Sequence, residues 1–439
     1  MREQLQHVIH KLQESSTRKP MRVISHHDTD GITSAAIFSR ALQRWNKKFT
    51  LQIVKGLDKQ FIDNLSENEI LIFLDLASGS LDHLAEKKTD VFIFDHHEVI
   101  QTIPKNVTII NPFLTNHEPC SGSALAYQFA RELSPNNTDL ASLAVIGMIG
   151  DMFDTNIGKV YDNILKDAGV TVKKGLRLYP ATRPLDRALE YSTSIYIPGV
   201  SGSFKGVMEL LRDAKIERGP SGHKSLAELS EQEMSRLITA VMLRRMNEQV
   251  KDEEIIGNIF LLKFFNNIED AREISAMINA CSRMGSPDTS LGLCLGNHES
   301  KKEAERTYLE YKQSISAALK YITETDKIVG KNYTIINARD KIKDTIIGTA
   351  ASIMSFSPLY AEGTVIIAMA YDQDKIKVSA RIAGRKGRNV REVLTQAVIP
   401  LAGEVGGHPN AAGALIARNR ETEFIEEIKR ILEPDIIKV

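Results

Sequence analysis

The feature that most constrains this chain is an alternation of short apolar runs with amphipathic stretches over residues 21–113. MRVISH, LQIVKGL, EILIFLDL, DVFIFDHH and VTIINPF read as strands, and GITSAAIFSRALQRW, which follows the first, has a helical period. Near-continuous apolar strands need cover on both faces, so the pattern predicts a mostly parallel, open α/β sheet flanked by helices. In that architecture ligands gather beyond the carboxyl ends of the strands. His26, Asp28, Asp75, Asp95 and His96 all fall at or just past predicted strand ends. The run VFIFDHHEVI is the sharpest case, because four apolar residues lead straight into Asp95, His96 and His97. A desolvated carboxylate is costly unless it is paired or coordinated, so a compensating partner is expected there.

At 439 residues the chain is long enough for two or three domains. Residues from about 160 to 255 read as a polar, helical insertion, and KKEAERTYLEYKQSISAALKYITE is a long helical pattern without Gly or Pro. Strand patterns restart with YTIINA, TVIIAMAY and KIKVSARI. The expected organisation is a catalytic domain over 1–300, a connector helix over 301–325 and a smaller α/β domain over 326–439. The apolar runs are too short to span a bilayer, and the N-terminal segment lacks an apolar core of the kind that directs secretion. Cys120, Cys281 and Cys294 form no CxxC pair, which argues against a disulfide framework or structural zinc and predicts a cytoplasmic protein. The formal net charge is zero, so any binding of polyanions must rest on local charge. One stretch provides it: KIKVSARIAGRKGRNVR, residues 375–391, is basic and contains no acid.

Four acidic and histidine elements carry the chemistry. HHDTDG holds His26, Asp28 and Asp30, FLDLASGS holds Asp75, Asp95-His96-His97 forms the third, and GMIGDMFD holds Asp151. A single Asp at a strand end is ordinarily a helix cap or turn acid. Several of them meeting at one sheet edge suit Mn²⁺ or Mg²⁺, ions that prefer oxygen ligands with occasional imidazole. A pair of such ions activates water and stabilises both oxygens of an in-line phosphoryl displacement.

In this combination and order the four elements resemble the motifs of the DHH phosphoesterase superfamily, and GEVGGHPNAAGA at 403–414 is similar to the glycine-rich signature of the DHHA1 domain. The layout looks most like archaeal RecJ-like proteins, including GINS-associated and helicase-associated nucleases. The resemblance implies two Mn²⁺ or Mg²⁺ ions held by Asp28, Asp30, Asp75, Asp95, His96 and Asp151. Asp75 or Asp151 bridges them, and Asp75 and His97 act in catalysis. His26 stands where bacterial RecJ has an acid and is expected to reach a cation less directly. MINACSRMGSPDTSLGLCL resembles a RecJ segment that binds substrate phosphate, which makes Asn279 and Arg283 candidates. In the C-terminal unit Ser379, Arg381, Arg385, Arg388, Gly406, Gly407 and His408 are candidates for gripping the phosphate backbone. Bacterial RecJ continues into an oligonucleotide-binding fold that is not found after GGHPNAAGA, so low processivity is expected.

The implied activity is metal-dependent exonucleolytic hydrolysis of single-stranded DNA, or RNA, to mononucleotides in replication or repair. A GINS-binding replisome scaffold and a nanoRNA or dinucleotide phosphodiesterase are the alternatives. With one Trp and 6% aromatic residues, base stacking is expected to be limited and electrostatics to dominate.

Overall fold

The computed structural model describes residues 2–17, 19–115, 117–191, 195, 197–219, 222–245, 255–357, 359–384 and 386–433. The chain divides into two units, Met1–Tyr308 and Leu309–Val439.

The first unit opens with helix α1 (Arg2–Ser15) and then alternates β1 (Met21–His26), α2 (Thr29–Arg44), β2 (Phe49–Val54), α3 (Lys59–Asp63), β3 (Ile70–Leu74), α4 (Leu81–Leu84), β4 (Val91–Phe94) and β5 (Val107–Ile110). All five strands pair in parallel, in the order β2-β1-β3-β4-β5. The five strands and the parallel α/β class agree with the apolar runs. The central strands β3 and β4 are buried along their whole length, as their unbroken aliphatic and aromatic sequence requires. Two helices, α5 (Gly122–Leu133) and α6 (Ala141–Gly150), follow the sheet. Phe38 of α2, Phe94 of β4 and Phe129 of α5 meet with ring centroids 4.5–5.2 Å apart and fasten these helices to one sheet face.

The insertion runs through α7 (Val160–Asp167), β6 (Thr171–Leu176), α8 (Leu185–Glu190), α9 (Phe204–Asp213), the two-residue strands β7 (Arg218–Gly219) and β8 (Gly222–His223), and α10 (Glu231–Arg245). It is less helical than its polarity suggests. β6 forms an antiparallel sheet with β9 (Ile256–Phe264) and β10 (Asn267–Asp270), in the order β10-β9-β6. TVKKGL gives a weak strand signal because β6 is an edge strand, where exposed lysines are admissible and even useful against edge pairing. A separate apolar core, from Leu176 through Leu210 and Leu237 to Leu261, holds the insertion together. Helices α11 (Ala271–Arg283) and α12 (Pro287–Cys294) return to α6 and α2, and α13 (His298–Glu324) crosses the division between the units. At 27 residues α13 is about 40 Å long.

The second unit contains β11 (Ile328–Val329), β12 (Tyr333–Asn337), α14 (Asp344–Ser355), β13 (Val365–Asp372), β14 (Lys375–Ile382), α15 (Val390–Val398), β15 (Glu404–His408), β16 (Ala411–Ala417) and α16 (Glu421–Leu432). Its mixed sheet has the order β11-β12-β13-β14-β16-β15, with β12 and β13 the parallel pair. Along β14, Ile376, Val378, Ala380 and Ile382 enter the core shared with α15 and α16. Period-two alternation turns Ser379 and Arg381 to the opposite face, where α14 lies. No helix among the described residues is long and apolar enough to cross a membrane.

Candidate metal centre

Each acid and imidazole of the centre is delivered by a strand end or a helix terminus. β1 ends on His26, and Asp28 then caps α2, accepting a hydrogen bond from Gly31 N at 3.0 Å. Gly31 lets the first turn of α2 lie against β1, since a Cβ there would come within 2.3 Å of the His26 carbonyl oxygen. Asp75 follows β3 with φ +58, a left-handed conformation that a non-glycine residue adopts at some cost. Its N–H donates to Phe94 O at 2.8 Å, so the turn stays stitched to β4 while the carboxylate points into the centre. Asp151 caps the carboxyl end of α6.

The ligand atoms fall into two sets joined by one carboxylate. Asp75 Oδ2 lies 3.5 Å from His26 Nδ1, which lies 2.9 Å from Asp28 Oδ2. Asp75 Oδ1 lies 3.2 Å from His96 Nε2, which lies 2.9 Å from Asp151 Oδ2 and 3.9 Å from Asp30 Oδ2. His26, Asp28 and Asp75 therefore cluster on one side, Asp30, His96 and Asp151 on the other, each with ligand atoms within 4.8 Å of one another. Both Asp75 oxygens and His96 Nε2 are buried within ion-pair reach of these groups but outside hydrogen-bond geometry. Four carboxylates and two imidazoles facing one another this way fit divalent cations: the donors are hard oxygens and imidazole nitrogens, and the buried negative charge needs a counter-charge.

The electrostatics say the same. Burial, with the facing charges of Asp75 and Asp151, pushes the Asp30 carboxyl well above its usual range. Burial, together with Asp28, also raises Asp75, against the opposing pull of His26 and His96. Burial disfavours charged imidazoles at His26 and His96, yet the surrounding carboxylates outweigh it and raise them to about 11 and about 12.

Asp95 and His97 form a separate arrangement. Asp95 Oδ1 accepts from His96 N at 2.8 Å and His97 N at 3.3 Å and lies 2.6 Å from His97 Nδ1, while Oδ2 accepts from Ser78 N at 2.9 Å. These bonds hold its carboxyl well below the usual range in spite of its burial. Asp95 lies within reach of Asp75, His96 and His97 as a ligand group, but its oxygens are already engaged. The partner that the strand end demanded is, in this case, the two residues that follow it.

Sequence reasoning missed the residues that make room for these groups. Asp30 accepts from Gly122 N at 2.5 Å and Ser123 N at 3.0 Å, which seats its carboxylate on the amino end of α5. A Cβ on Gly122 would stand 2.9 Å from Asp75 Cβ, and one on Gly147 would stand 2.6 Å from Asp30 Oδ1. Both glycines sit in helical patterns that read as ordinary packing. Asn111 was also unmarked, although its amide donates to His97 O at 2.8 Å and to Ser78 Oγ at 3.2 Å. His27 packs edge-on against His26 with centroids 4.8 Å apart, and burial with the charge of His26 lowers it to about 4.

The substrate-binding candidates are distributed over both units. Asn279 and Arg283 lie one turn apart on α11, with Arg283 Nε donating to Asn279 Oδ1 at 3.2 Å, and Arg283 is close enough to His27 to disfavour its protonation. Thr29 Oγ1 donates to Ser275 O at 3.0 Å and fixes α11 beside the start of α2. In the second unit Ser379 is buried, and Arg381 donates to Ser352 Oγ, Ala380 O and Ala412 O at 2.8–3.2 Å. Arg388 donates to Ile431 O at 2.7 Å, and Arg385 lies outside the described residues. Gly406, Gly407 and His408 lie on β15 of the β15–β16 hairpin, with Gly407 at φ +115.

Comparison with known proteins identifies the domains. Residues 20–148 match the DHH family N-terminal domain, 179–258 the DHH-CID domain and 330–433 the DHHA1 domain. The chain carries a DHH, a DHH-CID and a DHHA1 domain. A similar protein is the uncharacterized protein MJ0831 of Methanocaldococcus jannaschii, 27% identical over 94% of this chain and 93% of that one. Among solved structures, exonuclease RecJ bound to manganese is similar with TM-score 0.60 and 19% identity, covering 97% of this DHH/DHHA1 chain and 92% of that one. CDC45 from Entamoeba histolytica is similar with TM-score 0.68 and 12% identity, covering 98% and 99%. These likenesses are of fold alone.

Proposed function

We propose that this DHH/DHHA1 protein is a phosphodiesterase that uses two divalent cations to trim single-stranded nucleic acid to mononucleotides. The observation that carries the reading is Asp75, whose two oxygens face the two separate ligand sets. His26, Asp28 and Asp75 would hold one cation, and Asp30, Asp75, His96 and Asp151 the other. Mn²⁺ or Mg²⁺ bound there supplies Lewis-acid activation of water and stabilisation of the phosphoryl oxygens. The chain's residues do the rest. Asp95 fixes His97 through Nδ1, so that Nε2 is the ring nitrogen left to meet the scissile phosphate. Asp95 acts in this reading as a positioning residue and not as a cation ligand. Arg283 and Asn279 on α11, near His27, suit a neighbouring phosphate.

Asp75→Ala removes the ligand common to both sets. Its hydrolysis of end-labelled single strands should fall well beyond the about 10–100-fold loss typical of an outer-shell partner. Undiminished hydrolysis by a folded variant refutes the two-cation assignment. Comparing a dinucleotide with a longer single strand, labelled at either end, separates exonuclease from dinucleotide phosphodiesterase and fixes the polarity. A replication-protein partner such as a GINS complex, docked on the DHH-CID region, is compatible with catalysis. The CDC45-like fold supports that role, and co-purification without any replication protein argues against it.

A further inference from the structure

Phe113 is exposed on a turn held by a set of backbone and side-chain hydrogen bonds. It follows β5, where Phe94 pairs with Ile110 and Asp95 N continues the ladder by donating to Ile110 O at 3.2 Å. The next residue of β5's path, Asn111, therefore stands beside Asp95. Its side chain joins two loops: the amide donates to His97 O at 2.8 Å, and Oδ1 accepts from Phe113 N at 2.9 Å. Pro112 is buried and opens a 3₁₀ turn over Pro112–Leu114. Leu114 N donates to Asn111 O, and Thr115 N and His117 N donate to Pro112 O, at 3.2–3.3 Å. One side chain thus sets the position of Phe113 relative to His97.

Phe113 is nevertheless 58% exposed, and Leu114 beside it is 43% exposed. Met152, adjacent to Asp151, has φ +63 and is 63% exposed. Asp151 touches His96 and Asn111 touches His97, and those two rings are neighbours with centroids 4.6 Å apart. Exposed apolar residues accordingly lie on two loops that contact the histidine pair. Scattered exposed apolar residues need no explanation. Here three of them lie on two loops that contact the same pair of histidines beside a charged centre.

We infer that Phe113 is the stacking platform for the nucleobase attached to the phosphate that His97 meets. This rests on the phosphodiesterase reading above. A nucleotide joins an anionic phosphate to a flat π face through one sugar. The site offers matching parts in the same order: cation ligands, His97, then an exposed aromatic ring tied to His97 by Asn111. Leu114 provides apolar area but no π face, and a thioether such as that of Met152 is suited to the edge of a base. Stacking on an aromatic ring is tolerant of base identity, which suits an enzyme that degrades strands without sequence preference. The low aromatic content of the chain does not prevent this, because one placed ring suffices.

The test uses the full chain with Mn²⁺ and single strands carrying 2-aminopurine at one or the other end, their terminal linkages made phosphorothioate to slow cleavage. Binding should quench the 2-aminopurine fluorescence at the engaged end. Phe113→Ala should lose the quench and weaken binding by about 5- to 150-fold, the range of one base–aromatic stack. Phe113→Tyr should restore both, and Phe113→Leu should restore neither. With unmodified strands, the loss should be in KM and should vanish for a strand with an abasic terminal nucleotide. A quench unchanged in Phe113→Ala, or restored equally by Leu, overturns the inference. If the wild-type protein hydrolyses no strand yet shows a Phe113-dependent quench, the phosphodiesterase reading fails and the stacking site stands. Hydrolysis with a Phe113-independent quench has the reverse meaning, and the absence of both refutes both.

Discussion

Gly147→Ala tests whether the centre is held by the close approach of α6 to α2 and α5. Gly147 lies inside α6, where alanine is favoured over glycine by about 1 kcal/mol, so helix propensity alone predicts a more stable protein. The surroundings oppose it. A Cβ at this position would stand 2.1 Å from Ser123 Oγ, 2.5 Å from Thr33 Oγ1 and 2.6 Å from Asp30 Oδ1. All three residues are buried, and Ser123 N itself donates to that Asp30 oxygen. To reach even a 3.0 Å contact, Asp30 must withdraw by about 0.4 Å and Ser123 Oγ by about 0.9 Å. Overpacking of this kind costs about 1–3 kcal/mol, so the net change in stability is a loss of about 0–2 kcal/mol.

Activity should suffer more than stability. A displacement of about 1 Å at a reacting centre costs about 10²-fold, so a shift of roughly half that at Asp30 predicts a loss of about tenfold or more. The assay is the rate of single-strand hydrolysis at saturating Mn²⁺, alongside a thermal melt followed by circular dichroism. Gly56→Ala, where no atom lies within 4 Å of the new Cβ, serves as the control. A Gly147→Ala protein that melts no lower than wild type and hydrolyses within twofold of it would falsify the claim that α6 sets the position of Asp30.

Three further outcomes follow from the same geometry. Cation affinity should rise with pH through the neutral range, because His26 and His96, raised to about 11 and about 12 in the metal-free protein, hold protons there that a cation must displace. Each displaced proton adds about tenfold in affinity per pH unit, and calorimetry in buffers of different ionisation enthalpy should show proton release; release of none contradicts the ligand set. Asp95→Asn should leave cation affinity within a few-fold while lowering kcat by about 10–100-fold, since it disturbs the orientation of His97 and removes no ligand. Loss of cation binding in that variant would return Asp95 to the ligand set. Arg272→Ala leaves Asp270 buried without the guanidinium it now engages at 2.7 and 3.0 Å, and should destabilise the first unit by about 3–5 kcal/mol in urea melts. Replacing both residues with apolar ones should cost less.

The parallel sheet was legible because its strands are buried on both faces, and burial leaves a continuous apolar signature at β3 and β4. The insertion was read less well for the converse reason. β6 is an edge strand whose Thr171, Val172 and Lys174 answer to solvent, so its sequence carries a strand's backbone preference without a strand's buried pattern. Its place in the sheet depends on β9, whose paired residues lie 80 to 90 positions away, and no local window contains that pairing. The connector pattern over 301–324 was correctly helical, but the division between the units falls within α13 at Tyr308. A continuous helix gives no local mark of where one unit stops.

The candidate site divides along a similar line. Asp28, Asp30, Asp75, His96 and Asp151, which the structure brings together, stood out in the sequence because a charged residue ending an apolar strand or helix is conspicuous, and physical chemistry demands a partner for it. His26, placed by the sequence at the margin, stands within 3.5 Å of both Asp28 and Asp75, because β1 ends on it and the tight turn secured by Gly31 brings it back. Gly122 and Gly147 contribute by what they lack, and an absent side chain in a helical pattern has no periodicity to violate. Asn111 contributes by joining two loops whose proximity depends on the pairing of β4 with β5. Asp95 shows why residue type alone could not finish the assignment. It meets every sequence criterion for a cation ligand, yet its oxygens are held by Ser78, His96 and His97. A carboxylate at a buried strand end must be compensated, but the compensation can come from the chain itself. In the proposed reading, this engagement makes Asp95 the residue that aims His97.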